Sequence, residues 1–524
     1  MLRKIRLTLA TLFFALITLL FLDFTGTIHV WLGWLAKIQF LPALLALNVG
    51  IVVALLLLTF VFGRVYCSVI CPLGVFQDVV SWISGRRKKK NMRFSYSPAI
   101  AWLRYGVLVL FVVMLVAGIH SVVALLAPYS AYGRIANNLF APIYLWGNNL
   151  LAYFAERADS YAFYTVDVWV KSLSTFAVAV LTFVVVAVLA WRNGRTYCNT
   201  ICPVGTVLGF VARFSLFRPV IDTEKCKNCN LCARKCKASC INIKEHTIDY
   251  SRCVACMDCL DNCKHGALHY QYAYGKKEAE PSASRRGFFT AVGVVAATAA
   301  LNAQEKRKKQ QPNLPQYQQN RTRRTDTRAE LPTDKSKVEQ KVDGGLADIE
   351  PKLAPERLTP LTPPGSLGIG NFAQHCTACQ LCVSVCPNGV LRPSTKLENF
   401  MQPEMSYERG YCRPECVKCS EVCPTGAIKL ITRADKSAIQ IGHAVTIHKN
   451  CIPLTDGVEC GNCERHCPTK AIKMIPIDKN DPKSLKKPIV NEEKCIGCGA
   501  CENLCPARPY SAIYVEGHER HREI

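Results

Sequence analysis

A chain of 524 residues is long enough for three or four domains. Half of its residues are hydrophobic and its mean hydropathy is positive, yet its formal net charge is +25, so apolar and basic residues are segregated along the chain. That excludes a uniformly soluble protein and points to a membrane protein with soluble parts, while 29 cysteines in C-x-x-C spacing exclude a secreted disulfide scaffold and point to metal.

In chain order, four uncharged segments are candidate membrane spans: 7–22, 38–63, 105–133 and 172–191. At a helical rise of ~1.5 Å per residue a span takes about 20 residues, so the last three suffice. The first is short and would cross tilted, with Lys4 and Arg6 snorkelling. The loop 64–99 carries Arg64, Arg86, Arg87, Lys88, Lys89, Lys90 and Arg93, whereas the loop 133–170 carries Arg134 and Arg157. Basic loops stay in the cytoplasm, which predicts that the amino terminus and everything up to Arg286 lie inside. The run "RRKKK" is then a topology signal drawn to anionic lipid, and no nucleic-acid partner is expected.

The stretch "GRVYCSVICPLG" (63–74) recurs as "GRTYCNTICPVG" (194–205), so the membrane part reads as a duplicated two-helix unit. Cys67 and Cys71, like Cys198 and Cys202, share a face if the segment is helical, and Pro72 and Pro203 suit the first turn of a following helix. Two readings stay open for these four thiols: small packing residues, or a site that binds metal or cycles between dithiol and disulfide.

After the fourth span come Cys226, Cys229, Cys232, Cys236 and then Cys253, Cys256, Cys259, Cys263. This doublet of C-x2-C-x2-C-x3-C is the bacterial ferredoxin pattern for two [4Fe–4S] clusters, in which each fourth cysteine serves the other cluster. The rule assigns Cys226, Cys229, Cys232 and Cys263 to one cluster and Cys253, Cys256, Cys259 and Cys236 to the other. Between them, Ile241, Ile243, Ile248 and Tyr250 suit a short hairpin. Zinc is the alternative, but zinc sites use two separated C-x-x-C pairs.

The stretch "SRRGFFTAVGVVAATAALNA" (284–303) reads as an export address in the middle of the chain, able to carry the residues after it across the membrane or to stay as a fifth, short span. A basic, glutamine-rich linker comes next. Four more runs end in Cys-Pro: Cys376, Cys379, Cys382, Cys386; Cys412, Cys416, Cys419, Cys423; Cys451, Cys460, Cys463, Cys467; and Cys495, Cys498, Cys501, Cys505. They make four further clusters, six in all. Nearest-neighbour and nested pairing of these runs both remain open. Cys240 is left over and reads as a buried non-ligand.

The first 275 or so residues resemble the NapH-type (MauN-like) membrane ferredoxin-type proteins, on the four spans, the two C-x3-C-P motifs and the two-cluster doublet. Residues 284–524 resemble the companion NapG or MauM type, on the twin-arginine leader, "LTPPG" (361–365) and four cluster motifs. The resemblance implies two fused proteins, and a quinol-oxidising module that delivers electrons to an extracytoplasmic reductase or cytochrome rather than a stand-alone enzyme.

The expected architecture is a multidomain membrane protein: an α-helical bundle of four spans with a possible fifth, plus α+β bacterial-ferredoxin-like domains. Its parts are 1–212 (membrane), 213–275 (two clusters), 276–303 (leader or fifth span), 304–360 (linker) and 361–524 (four clusters). The expected setting is a bacterial cytoplasmic membrane, its lipid bilayer and quinol pool, with the two-cluster domain inside and the four-cluster domain in the periplasm. A maturation factor for a periplasmic redox enzyme is the alternative. No nucleophile–base pair, phosphate-binding loop or flavin fingerprint appears. His120 is open to two readings, a quinol proton acceptor or a packing residue.

Overall fold

Leu2–Leu22 and Leu173–Asn193 contain neither proline nor glycine, and each forms one unbroken helix of 21 residues, about 30 Å long. In this computed structural model, which describes residues 1–87, 94–160, 162–274, 350–478 and 480–524, these two are long and apolar enough to cross a membrane, by length and composition. The leader 276–303 and the linker as far as 349 lie outside the described residues.

The two other expected spans are broken, which corrects the four-span reading. In 38–63, the helix Phe40–Leu45 ends before Leu47, whose φ is 55°, and Asn48 caps a new helix, Val49–Phe62, by accepting from the Ile51 N–H. In 105–133, Ala101–Val116 stops ahead of Gly118, a short helix His120–Leu126 follows, and Pro128 starts a third, Pro128–Ile135. The loop 133–170 also holds a helix that the sequence reading omitted, Ala141–Arg157.

Each C-x3-C-P motif turns the chain back into the bundle. After Gly63 a π-helical turn, Tyr66–Ile70, leads to Pro72, which opens the helix Pro72–Arg87. The Phe76 ring lies 5.5 Å from Phe183, midway along Leu173–Asn193, while Ser84 donates to the Trp191 carbonyl near that helix's end. Cys71 is therefore deep in the bundle and the helix runs back out. The second copy does the same with Thr196–Thr200 and Pro203–Ala212.

Short hairpins and one-turn helices build the remainder. Phe217–Ile221 pairs antiparallel with Leu268–Tyr272, and the expected hairpin forms from Ile241–Asn242 and Thr247–Ile248. Towards the carboxy terminus, Leu391–Pro393 pairs with Pro403–Met405, Ile472–Pro476 with Lys486–Val490, and Ile439–Thr446 with Ile513–Glu523.

These two α+β parts attach to opposite ends of the bundle. At one end Arg3 meets Asp258 at 2.8 Å, Lys237 meets Asp78 at 3.6 Å, and the Arg195 N–H donates to the Lys237 carbonyl. At the other, Lys418 Nζ donates to the Thr25 carbonyl (2.7 Å), Asn138 to Gln380 Oε1 (3.0 Å) and Lys171 to the Val383 carbonyl (3.0 Å). Arg3 lies in the first turn of the helix Leu2–Leu22 and Thr25 just past its end, and Lys171 and Arg195 flank Leu173–Asn193, so the two attachments are a helix length apart.

Candidate metal centres

The C-x2-C-x2-C loops share a backbone device. The residues just before and just after the second cysteine have positive φ: Asn228 and Asn230, Ala255 and Met257, Ala378 and Gln380, Gly497 and Gly499. Left-handed turns of this kind gather backbone N–H groups into a concavity that suits an anionic sulfur-rich group. A one-turn helix then carries the third cysteine, as in Leu231–Lys235, Asp258–Asp261, Leu381–Ser384 and Ala500–Asn503. The runs starting at Cys412 and Cys451 are spaced differently and lack the paired turn.

In the two-cluster part, one cavity is lined by Cys226, Cys229, Cys232 and Cys263 among Ile221, Ile243 and Leu268. A second is lined by Cys236, Cys253, Cys256 and Cys259 among Ile241, Ile248 and Val254. The fourth thiol of each run has crossed to the other's cavity. Cys240 also lines the second cavity, buried, with its sulfur 3.5 Å from Cys236 Sγ.

The carboxy-terminal runs cross in the same way, between nearest neighbours. Cys423 acts on Cys376, Cys379 and Cys382, and Cys386 acts on Cys412 and Cys419. Cys505 acts on Cys451 and Cys463, and Cys467 on Cys495 and Cys498. Of the two pairings left open by the sequence, the nested one is not what the chain adopts.

The donor set fits iron–sulfur clusters. Four thiols face the first cavity of the two-cluster part and five, with Cys240, the second, among apolar side chains, and backbone N–H groups point at sulfur: Ala267 to Cys263 (3.3 Å), Ile428 to Cys423 (3.4 Å), Ala471 to Cys467 (3.2 Å) and Ala512 to Cys505 (3.3 Å). Among the described residues, no three His, Cys, Asp or Glu side chains converge on a point for a single ion. Burial pushes the Cys232 thiol up to about 11 and Cys256, Cys379, Cys463 and Cys498 up to about 12, so binding a metal group must displace protons from these sulfurs.

The groups succeed one another through the molecule. The Cys412 N–H donates to the Cys498 carbonyl, and the Tyr407 hydroxyl donates to the Gly497 carbonyl (2.6 Å), joining the two carboxy-terminal pairs. At the bundle, Gly133 packs on the Cys379 carbonyl so closely that a Cβ there would fall 2.4 Å from the oxygen, and Tyr129 neighbours Cys379 and Cys423. At the other end Arg64 donates to the Ser251 carbonyl (3.2 Å) and acts on Cys253. Cys67, Cys71, Cys198 and Cys202 are buried between these two contacts. His120 is buried at the end that meets the four-cluster part, where its neighbour Ser121 donates to the Leu397 carbonyl.

Sequence reasoning missed the buried cations Arg64, Arg134 and Arg195, each 0% exposed. Arg64 and Arg195 had a signal, since both follow a glycine in the repeated motif.

A family model described as a 4Fe-4S binding domain matches residues 44–91 and 175–221, and one described as a 4Fe-4S dicluster domain matches 375–445 and 458–508. The first pair of segments contains the four membrane thiols. The chain is 25% identical over 219 residues to the protein named "Uncharacterized protein MJ0749" of Methanocaldococcus jannaschii, covering 41% of this chain and 67% of the relative. It is 26% identical over 220 residues to the methylamine utilization ferredoxin-type protein MauN of Methylobacillus flagellatus (41% and 64%), and 27% identical over 232 residues to the ferredoxin-type protein NapH of Haemophilus influenzae (43% and 67%). No solved structure matches. The chain is thus similar to NapH and MauN ferredoxin-type proteins and, with 4Fe-4S domains in both halves, is an iron–sulfur electron-transfer protein.

Proposed function

We propose that the chain is a membrane electron-transfer module with six [4Fe–4S] clusters, which takes electrons from quinol and passes them to a soluble or peripheral reductase or cytochrome outside the cytoplasm. The observation that carries the reading is the cross-pairing of the ferredoxin runs into six sets of thiols, two sets at one end of the helical bundle and four at the other.

Cys226, Cys229, Cys232 and Cys263 hold one cluster and Cys253, Cys256, Cys259 and Cys236 the second. The other four sets are Cys376, Cys379, Cys382 with Cys423; Cys412, Cys416, Cys419 with Cys386; Cys451, Cys460, Cys463 with Cys505; and Cys495, Cys498, Cys501 with Cys467. When bound, such clusters supply one-electron redox chemistry. The chain buries or half-buries all of these thiols but Cys229 and aims backbone N–H groups at sulfur, and its αL turns fix the loops. Quinol gives up two electrons and two protons as it becomes quinone, and the clusters take the electrons one at a time.

Sidedness comes from charge. The basic loops around Arg64 and the carboxy-terminal attachment at the opposite end of the bundle support a cytoplasmic two-cluster domain and an extracytoplasmic four-cluster domain, carried across by the leader at 284–303 as in a fused NapG-type protein. Adding a quinol analogue to membranes containing the protein, under anaerobic conditions, is expected to bleach the cluster absorption and produce reduced-cluster spin signals. Clusters that stay oxidised under quinol but respond to a stronger chemical reductant would sink the quinol step.

A further inference from the structure

We infer that Cys67, Cys71, Cys198 and Cys202 together hold a seventh iron–sulfur group inside the helical bundle, and that it bridges the ferredoxin sites at the two ends. The inference rests on the reading of those end sites as clusters. The four thiols are free of disulfides, each about 5% exposed or less, and Cys202 is acted on by all three others.

The two motifs exchange arginines. Arg64 of the first donates to the Cys198 carbonyl (3.2 Å) and stands 3.8 Å from Cys67 Sγ. Arg195 of the second donates to the Cys67 carbonyl (2.8 Å) and stands 3.9 Å from Cys198 Sγ. Gly74 and Gly205 make room for this crossing, since a Cβ at either would lie 2.3 Å from a cysteine carbonyl and within 2.8 Å of the opposite guanidinium.

Charge points the same way. Among the described residues Arg64 meets Asn199, two carbonyls and a thiol but no carboxylate, and Arg64 Nε and Arg195 Nη2 have no partner. Arg195 is paired with Asp78 (2.8 Å), but a buried cation without a carboxylate, as at Arg64, is costly, and four thiolates around an iron–sulfur core leave a net negative group that the Arg64 guanidinium suits. Sulfur-directed donors are in place as well: Gln77 Nε2 lies 3.2 Å from Cys198 Sγ, the Gly205 N–H 3.3 Å from Cys202 Sγ, and the Gly74 N–H donates to Cys71. A single zinc ion, with bonds of ~2.3 Å, needs a tighter convergence than these thiols show.

Both ends of the chain of sites lead here. Arg64 also holds the Ser251 carbonyl, two residues before Cys253, and Tyr197 donates to the Leu126 carbonyl and neighbours Arg134, which neighbours Cys379. Transfer along this line is one electron in and one electron out, from the group at Cys253, Cys256, Cys259 and Cys236 to that at Cys376, Cys379, Cys382 and Cys423, or the reverse. No bond is made or broken.

The test uses the full chain purified without oxygen. Replacing Cys67→Ser with Cys198→Ser is expected to remove about two to four iron atoms per chain and one Mössbauer component, leaving about 24 iron atoms from the six ferredoxin sites. The difference between parent and variant tests this site, whereas the total tests the ferredoxin reading. If the double variant loses its ferredoxin iron as well, Gln77→Leu replaces it: one component alone should shift to lower potential as its sulfur loses a donor. Equal iron in parent and double variant, stoichiometric zinc in the parent, or no shifted component in Gln77→Leu would overturn the inference.

Discussion

Asp78 shows how much of this molecule turns on single side chains. Its buried carboxylate meets Arg6 of the first helix, Arg195 of the second C-x3-C-P motif (2.8 Å) and Lys237 of the two-cluster part (3.6 Å), so one anion ties three cations from three segments. Asp78→Asn keeps the shape and removes the charge. Breaking a buried pair by removing one partner costs about 3–5 kcal/mol, and here Arg6 and Arg195 both lose their carboxylate while Lys237 keeps Asp258 (2.9 Å), so the variant should melt well below the parent in detergent or fail to accumulate folded. A variant as heat-stable as the parent would contradict this role. Nothing in the sequence marks Asp78, because Arg6 and Arg195 lie 72 and 117 residues away and neither separation belongs to a helix or a recognisable motif.

At the level of elements, the cluster loops were legible and their partners only in part. C-x2-C-x2-C spacing dictates the αL turns and the short helix after them. In the two-cluster part the crossed ligand rule also gave the grouping around each cavity. Near-equal gaps between the four carboxy-terminal runs carry no such information; in the fold the one-turn helices Leu381–Ser384 and Lys418–Val422 pack together, as do Asn462–Arg465 and Ala500–Asn503. The broken helices were misread because hydropathy averages over "LALNVG" and "LLAPYS", where Asn48 and Pro128 each start a new helix.

Crossed pairing makes a prediction at this scale. Cys423→Ser should free Cys376, Cys379 and Cys382 for alkylation, detected by peptide mass spectrometry, with a loss of about four iron atoms per chain. Cys412, Cys416 and Cys419, from its own run, should stay protected. Labelling of that second set alone would reverse the assignment.

Across the whole molecule, the helical bundle between the two α+β parts is a helix length deep but is crossed in part by shorter elements. Two of its principal helices are only 14 and 16 residues long, the C-x3-C-P turns reach in from one end, and Pro128–Ile135 reaches in from the other to meet Cys379 at Gly133. Such a construction brings thiol groups of the bundle nearer to those at its two ends than a bundle of full-length helices would. It suits a conductor. If the thiol sites form one continuous electron path from the two-cluster part to the four-cluster part, sealed vesicles reveal it most directly. With the protein reconstituted into liposomes that hold trapped ferricyanide, an impermeant reductant such as titanium(III) citrate is added outside, and the trapped oxidant is followed by its absorbance. The predicted result is reduction of the trapped ferricyanide by the parent protein and none by the Cys67→Ser, Cys198→Ser variant; ferricyanide that stays oxidised inside vesicles carrying the parent, with its clusters intact, would contradict a continuous path.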